Sequence, residues 1–203
     1  MPYAEYITAR FGNEDSESYA SFFVEDEPSE TVALSLFVRT RRPQGLLLVL
    51  ANSTSQYLRV WLDEGRVKVQ INNFETLASH GVVNDGQFHP VSVKIEQARV
   101  ALFLSARSQG NIPIRNVLLQ MGDVLYVGGL PDRRASLAFG GYFKGCVQDL
   151  RMSSKRLQFY PIGTAVSSYV QESLVKVTRG CASDNSCSVS DKYQQAIPAY
   201  VTQ

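Results

Sequence analysis

The fold class predicted for this 203-residue chain is all-β, an antiparallel β-sandwich. Three observations predict it. Apolar residues recur at every second position along most of the chain. Short strand-like runs are punctuated by Gly, Asn, Asp and Pro. No sustained amphipathic helical pattern interrupts them. Hydrophobic residues make up 44% of the chain, enough to fill a core between two sheets, and one all-β domain of this length is ordinary.

The elements follow in order. "TVALSLFVRT" puts Val32, Leu34, Leu36 and Val38 on one strand face. "GLLLVLAN" is continuously apolar over a strand's length, which predicts a strand covered on both faces. "QYLRVWLDEGRVKVQI" predicts a hairpin. Leu58, Val60 and Leu62 alternate before the turn Asp63-Glu64-Gly65, and Val67, Val69 and Ile71 after it. "VVNDGQFHPVSVKIE" predicts the same device, turning at Asn84-Asp85-Gly86 and facing Val91, Val93 and Ile95 inward. "ARVALFLSA" adds Val100, Leu102 and Leu104, and "GDVLYVGGLP" adds a strand stopped by Gly128, Gly129 and Pro131. In "FGGYFKGCVQDLRM", Gly140 and Gly141 suggest a tight turn into a strand. Phe143, Gly145 and Val147 share one face, and Leu150 and Met152 the other. A one-residue slip flips every later side chain, so a bulge is expected near Gln148-Asp149. Asp149 would accept backbone N–H bonds there, and Gly145 would allow close approach by a backbone or a ring. After Ala182 the alternation ends, and residues 182–203 read as a polar tail beyond a domain spanning 3–181.

Charge and reactive residues narrow the function. Twenty basic residues against nineteen acidic ones give net +1, which argues against nucleic acid or a membrane surface as partner. The longest apolar run, Leu46 to Ala51, is far short of the ~20 residues of a spanning helix. The start, "MPYAEYITARFGNEDSE", is polar and acidic, unlike a secretory signal; a secreted protein would then be represented by a piece of a longer chain. Three cysteines, Cys146, Cys181 and Cys187, lack the companions of a zinc site, and neither His80 nor His89 forms a recognisable catalytic motif with a Cys or Ser. A glycosidase would need two carboxylates facing across a cleft. The acidic clusters Glu14-Asp15-Ser16-Glu17 and Glu25-Asp26-Glu27 instead read as solvated loop charge, so no catalytic residue is assigned. Arg39, Arg41, Arg42, Arg133 and Arg134, with Lys144, Lys155 and Arg156, are candidates for a heparin-type basic patch or else scattered surface charge. Asn52-Ser53-Thr54 is an N-glycosylation sequon between two strands. Tyr57 and Trp61 share a strand face, where packing is expected rather than sugar stacking.

Four stretches resemble the laminin G-like, or LNS, domain family. Phe143-Lys144-Gly145-Cys146-Val147-Gln148-Asp149-Leu150-Arg151 resembles that family's closing signature. "QGLLLVLANSTSQYLRVWLDEGRVKVQINN", "VVNDGQFHPVSVKI" and "LYVGGLP" resemble its other motifs, in the same order. "YITARFG", "VGGLPDRR" and "TRGCASDNSC" are most like the Crumbs family of apical polarity proteins. The resemblance implies a jelly-roll sandwich of the concanavalin type and a non-enzymatic extracellular recognition module. Its partner would be a protein, a second copy included, with heparin-type glycan as the alternative. The parent protein would be anchored in the apical plasma membrane or secreted. It also implies a Cys146–Cys181 disulfide, against the alternative of three reduced cysteines. Cys187 would be the first cysteine of a following EGF-like module, left unpaired or paired out of register. The similarity to such a module stops after Ser190, so the tail is either its start or a foreign extension. Many family members hold Ca²⁺ through an acidic residue just before the Tyr-Leu hairpin. Gln56 stands there in this chain, so no metal and no other cofactor is expected.

Overall fold

The computed structural model describes residues 7–159 and 171–181. Fifteen strands among them form two antiparallel sheets. In chain order they are β1 (Thr8–Phe11), β2 (Tyr19–Phe23), β3 (Val32–Arg39), β4 (Gly45–Ala51), β5 (Gln56–Asp63), β6 (Arg66–Ile71), β7 (Leu77–Val82) and β8 (His89–Glu96). They continue as β9 (Arg99–Leu104), β10 (Arg107–Pro113), β11 (Val124–Val127), β12 (Gly145–Met152), β13 (Lys155–Arg156), β14 (Gln171–Val175) and β15 (Thr178–Arg179). One sheet runs β10-β9-β8-β3-β12-β1-β15, with β13 on β12; the other runs β14-β2-β11-β4-β5-β6-β7.

The alternating residues do what their period requires. Val32, Leu34, Leu36 and Val38 from one sheet and Leu58, Val60, Leu62, Val67 and Val69 from the other are buried in one core. Four phenylalanines close it at one side: Phe11 packs on Phe143 at 6.2 Å, and Phe159 packs edge-on against Phe11 at 6.0 Å and Phe22 at 5.6 Å. Every residue of β4 is buried. Leu47, Leu48 and Leu50 face the main core, while Leu46 and Val49 join Trp61 and Leu130 in a second cluster on the outer face. The cover over that cluster is a short helix, α1 (Arg133–Phe139), which adds Ala135 and Phe139 to it.

Three sequence expectations need correction. Asn84-Asp85-Gly86 does not close a hairpin. β7 pairs with β6 in one sheet and β8 with β3 and β9 in the other, so the segment crosses between sheets. Gly86 N–H is held by the Thr40 carbonyl at 2.9 Å, which ties the crossover to the end of β3. Gly140 and Gly141 do not simply turn into a strand; Gly140 caps the C-terminus of α1, while the Asp132 side chain caps its N-terminus by accepting from Ala135 N–H at 3.1 Å. The bulge does fall at Gln148–Arg151, and Asp149 lies at φ 52. However, the Asp149 carboxylate is held by guanidinium groups, Arg151 Nε at 3.1 Å and Arg156 Nε at 2.8 Å, rather than by backbone N–H groups. The bulge turns Leu150 and Met152 into the core occupied by Val147.

Candidate functional site

The two ends of β4 carry different chemistry. At its start, the loop after β1, the β3–β4 loop and the segment before β12 border an open cleft of about 350 Å³. Lys144 emerges there with its side chain only 7% exposed, and its Nζ donates to Asp15 Oδ1 at 2.9 Å. Arg42 Nη2 donates to the same oxygen at 3.3 Å. Beside them Arg133 Nε donates to Glu17 Oε1 at 2.7 Å. Tyr142 completes the wall and donates its hydroxyl hydrogen to the Leu130 carbonyl at 2.8 Å. Asp15 is itself largely exposed, and both Glu14 and Asp15 sit at φ 56, in the left-handed region. The Lys144 hydrogen bond and charge, with Arg42 beside it, hold the Asp15 carboxyl below its ordinary 3.8 despite some desolvation. A depressed carboxylate contributes stability above its unfolded value. The clasp that Asp15 forms with Lys144 and Arg42 is therefore intact at neutral pH and is lost as pH falls from the ordinary carboxyl value through the lowered folded one.

The structure thus brings Arg42 of one predicted arginine group and Arg133 of the other to one rim, with acids between them. Arg39 is buried, with its guanidinium over Phe88 at 4.8 Å. Arg41 lies against Gly86. Arg42 and Arg133 are ion-paired, and Arg134 is exposed in the first turn of α1. Asp15 and Glu17 are accordingly not plain solvated charge; each is tied to a cation. In the second acidic cluster Asp26 pairs with Lys155 at 2.6 Å. An uninterrupted cationic track for a sulfated glycan would need these pairs opened.

The far end of β4 lies about 20 Å away at strand rise. Asn52 is exposed there, and its Oδ1 accepts from Thr54 N–H at 2.9 Å, Thr54 Oγ1 at 2.8 Å and Ser55 N–H at 2.8 Å. Gln56 is exposed nearby. The adjacent carboxylate, buried Asp123, already accepts from Tyr57 Oη at 2.8 Å and Gln120 N–H at 3.1 Å. Burial and this carboxylate push the Tyr57 hydroxyl well above its ordinary range. A Ca²⁺ ion needs several hard oxygen ligands, and these residues do not fit that need. No group of three or more His, Cys, Asp or Glu among the described residues could hold a metal. Millimolar calcium is therefore expected to leave the melting temperature unchanged; a rise of several degrees would contradict this. Tyr57→Phe should cost about 1–3 kcal/mol, because it leaves a buried carboxylate oxygen short of a donor; chemical denaturation measures it.

Trp61 is only 9% exposed and is covered by Arg59, whose guanidinium sits 3.8 Å from its ring centroid and 5.2 Å from that of Phe139. Arg59 also donates to the Phe139 carbonyl at 3.2 Å and Gln70 Oε1 at 2.7 Å, and burial lowers its pKa. The stack locks α1 onto the sheet and leaves no open indole face. Cys146 and Cys181 form a disulfide, Cα–Cα 6.2 Å, between β12 and the segment after β15. Cys187 and the tail 182–203 lie outside the described residues.

Sequence reasoning missed α1 and the clasp. The helix carried a readable signal, Asp132 and Gly140 flanking seven residues. The clasp carried none, because Asp15 and Lys144 are 129 positions apart.

The laminin G domain family profile matches residues 38–155. "Protein crumbs homolog 1" of Mus musculus is 43% identical over 183 residues, covering 90% of this chain and 13% of that protein. "Protein crumbs homolog 2" of Homo sapiens is 30% identical over 188 residues, covering 91% and 13%. This chain therefore spans about an eighth of the length of these relatives. Among solved structures, the LG4-5 domains of the mouse laminin alpha1 chain superpose with a TM-score of 0.68 at 17% identity, covering 87% of this chain and 48% of that one, a likeness of fold.

Proposed function

Because the chain belongs to the laminin G domain family, we propose that it is a non-enzymatic recognition module of a Crumbs-type ectodomain, contacting an extracellular protein through the rim that carries Arg42 and Lys144. One observation carries this reading. Loops held by a rigid sandwich present a cleft with a nearly buried ammonium and a half-exposed guanidinium. The opposite rim is the poorer face, since a glycan on Asn52 would crowd it. The Cys146–Cys181 bond suits an oxidising compartment, in keeping with the external side of the apical membrane. A second copy of the chain is an admissible partner.

The test uses beads coated with the chain and presented to epithelial cells. Binding should survive heparan-sulfate removal and disappear after mild surface proteolysis. Loss on heparan-sulfate removal alone would overturn the reading in favour of a glycan ligand. When the chain is expressed through a secretory pathway, Asn52→Gln should abolish a mass increment that peptide N-glycosidase also removes; an unchanged glycoform pattern would contradict glycosylation at Asn52.

A further inference from the structure

We infer that Asp15 is a built-in substitute for a ligand carboxylate. The rim cleft takes an acidic side chain of a partner protein, which displaces Asp15 from Lys144 and Arg42. The inference rests on the rim being the recognition face. Lys144 has little solvent around its ammonium, and it is paired with the Asp15 carboxylate, which is 66% exposed on a short loop. A buried ammonium needs a compensating anion, so the cleft requires one, whichever chain supplies it. Arg42 reaches the same Oδ1, so one incoming carboxylate would satisfy both cations. The loop that delivers Asp15 holds two successive non-glycine residues, Glu14 and Asp15, in the left-handed region, and displacement would relieve both.

The occupant is a peptide acid rather than a sulfated glycan. The cleft gathers two cations beside Pro43, Tyr142 and Phe143, a single-carboxylate site with an apolar flank. A glycan chain would need a row of open cations, and the neighbouring Arg133 is held by Glu17. An incoming carboxylate thus has to compete with Asp15, and its apparent affinity is lowered by that competition.

The test measures fluorescence anisotropy of a labelled hexaglutamate peptide with the whole chain. Asp15→Asn combined with Glu17→Gln removes both internal anions, and asparagine tolerates the left-handed backbone. The double variant should bind about three- to tenfold tighter than the parent, the scale of one partly exposed ion pair. Adding Arg42→Glu should cancel the gain. Salt should weaken the binding. No gain in the double variant would overturn the inference. So would a larger gain for a heparin hexasaccharide than for the peptide. Circular dichroism melts establish that each variant is folded. Because the peptide assay reads the clasp alone, it can fail while the cell-binding assay succeeds, and the reverse.

Discussion

Gly145→Ala is expected to destabilise the domain by about 3–5 kcal/mol, which lowers the melting temperature by roughly 6–20 °C for a domain of this size. Gly145 starts β12 at φ 149, a conformation that L side chains rarely adopt. A Cβ there would lie 2.3 Å from the Arg39 carbonyl oxygen, 2.9 Å from Phe143 Cζ and 3.0 Å from Thr40 Cβ. The oxygen cannot retreat cheaply, since Arg39 is in register with Cys146 in the β3–β12 ladder. The phenyl ring is fully buried in the aromatic cluster with Phe11. Either the ladder opens or the core shifts, so Gly145→Val should fail to fold. Calorimetry of the alanine variant decides it: a change under about 1 kcal/mol, the usual result at an unconstrained site, would show that this seam is not tightly packed.

Cys146→Ala combined with Cys181→Ala is expected to cost about 3–4 kcal/mol, the loop-closure value for a separation of 35 residues. Cys146 is fully buried on β12, while Cys181 follows β15, which contributes two residues to the edge of its sheet. The bond therefore holds an edge that its hydrogen bonds alone would hold weakly. A reductant should lower the melting temperature of the parent chain and leave the double variant unmoved. Equal insensitivity of both would contradict the bond's contribution to stability.

The sequence reading succeeded where geometry is local. Alternation at Val32 to Val38 and Val67 to Ile71 gave strands and their inward faces, because one pleat fixes every second side chain. The slip between Val147 and Leu150 located the bulge for the same reason. Turns were harder. Gln97-Ala98, Ser105-Ala106 and Ser153-Ser154 all take positive φ without the glycine or asparagine that would announce them. β10 after Ser105-Ala106 went unseen, since "RSQGNIP" lacks alternation and carries a bulge against β9. The Asn84-Asp85-Gly86 signal was real, yet a turn does not say which sheet the next strand joins. At the site, the cations were legible as residue types. Their partners were not, because Glu17 meets Arg133 across 116 positions and Asp15 meets Arg42 across 27. Solvated charge and a clasp look alike until the loop's path is known.

The central claim is that recognition occurs at the β3–β4 rim and not at the Asn52 end. It is tested most directly by measuring cell-surface binding of bead-bound chain for two variants. Arg42→Glu with Arg133→Glu should weaken binding by about tenfold or more, as charge reversal at a contact does, while Gln56→Glu at the far end leaves it unchanged. Full binding by the rim variant, or loss of binding by Gln56→Glu alone, would contradict the account.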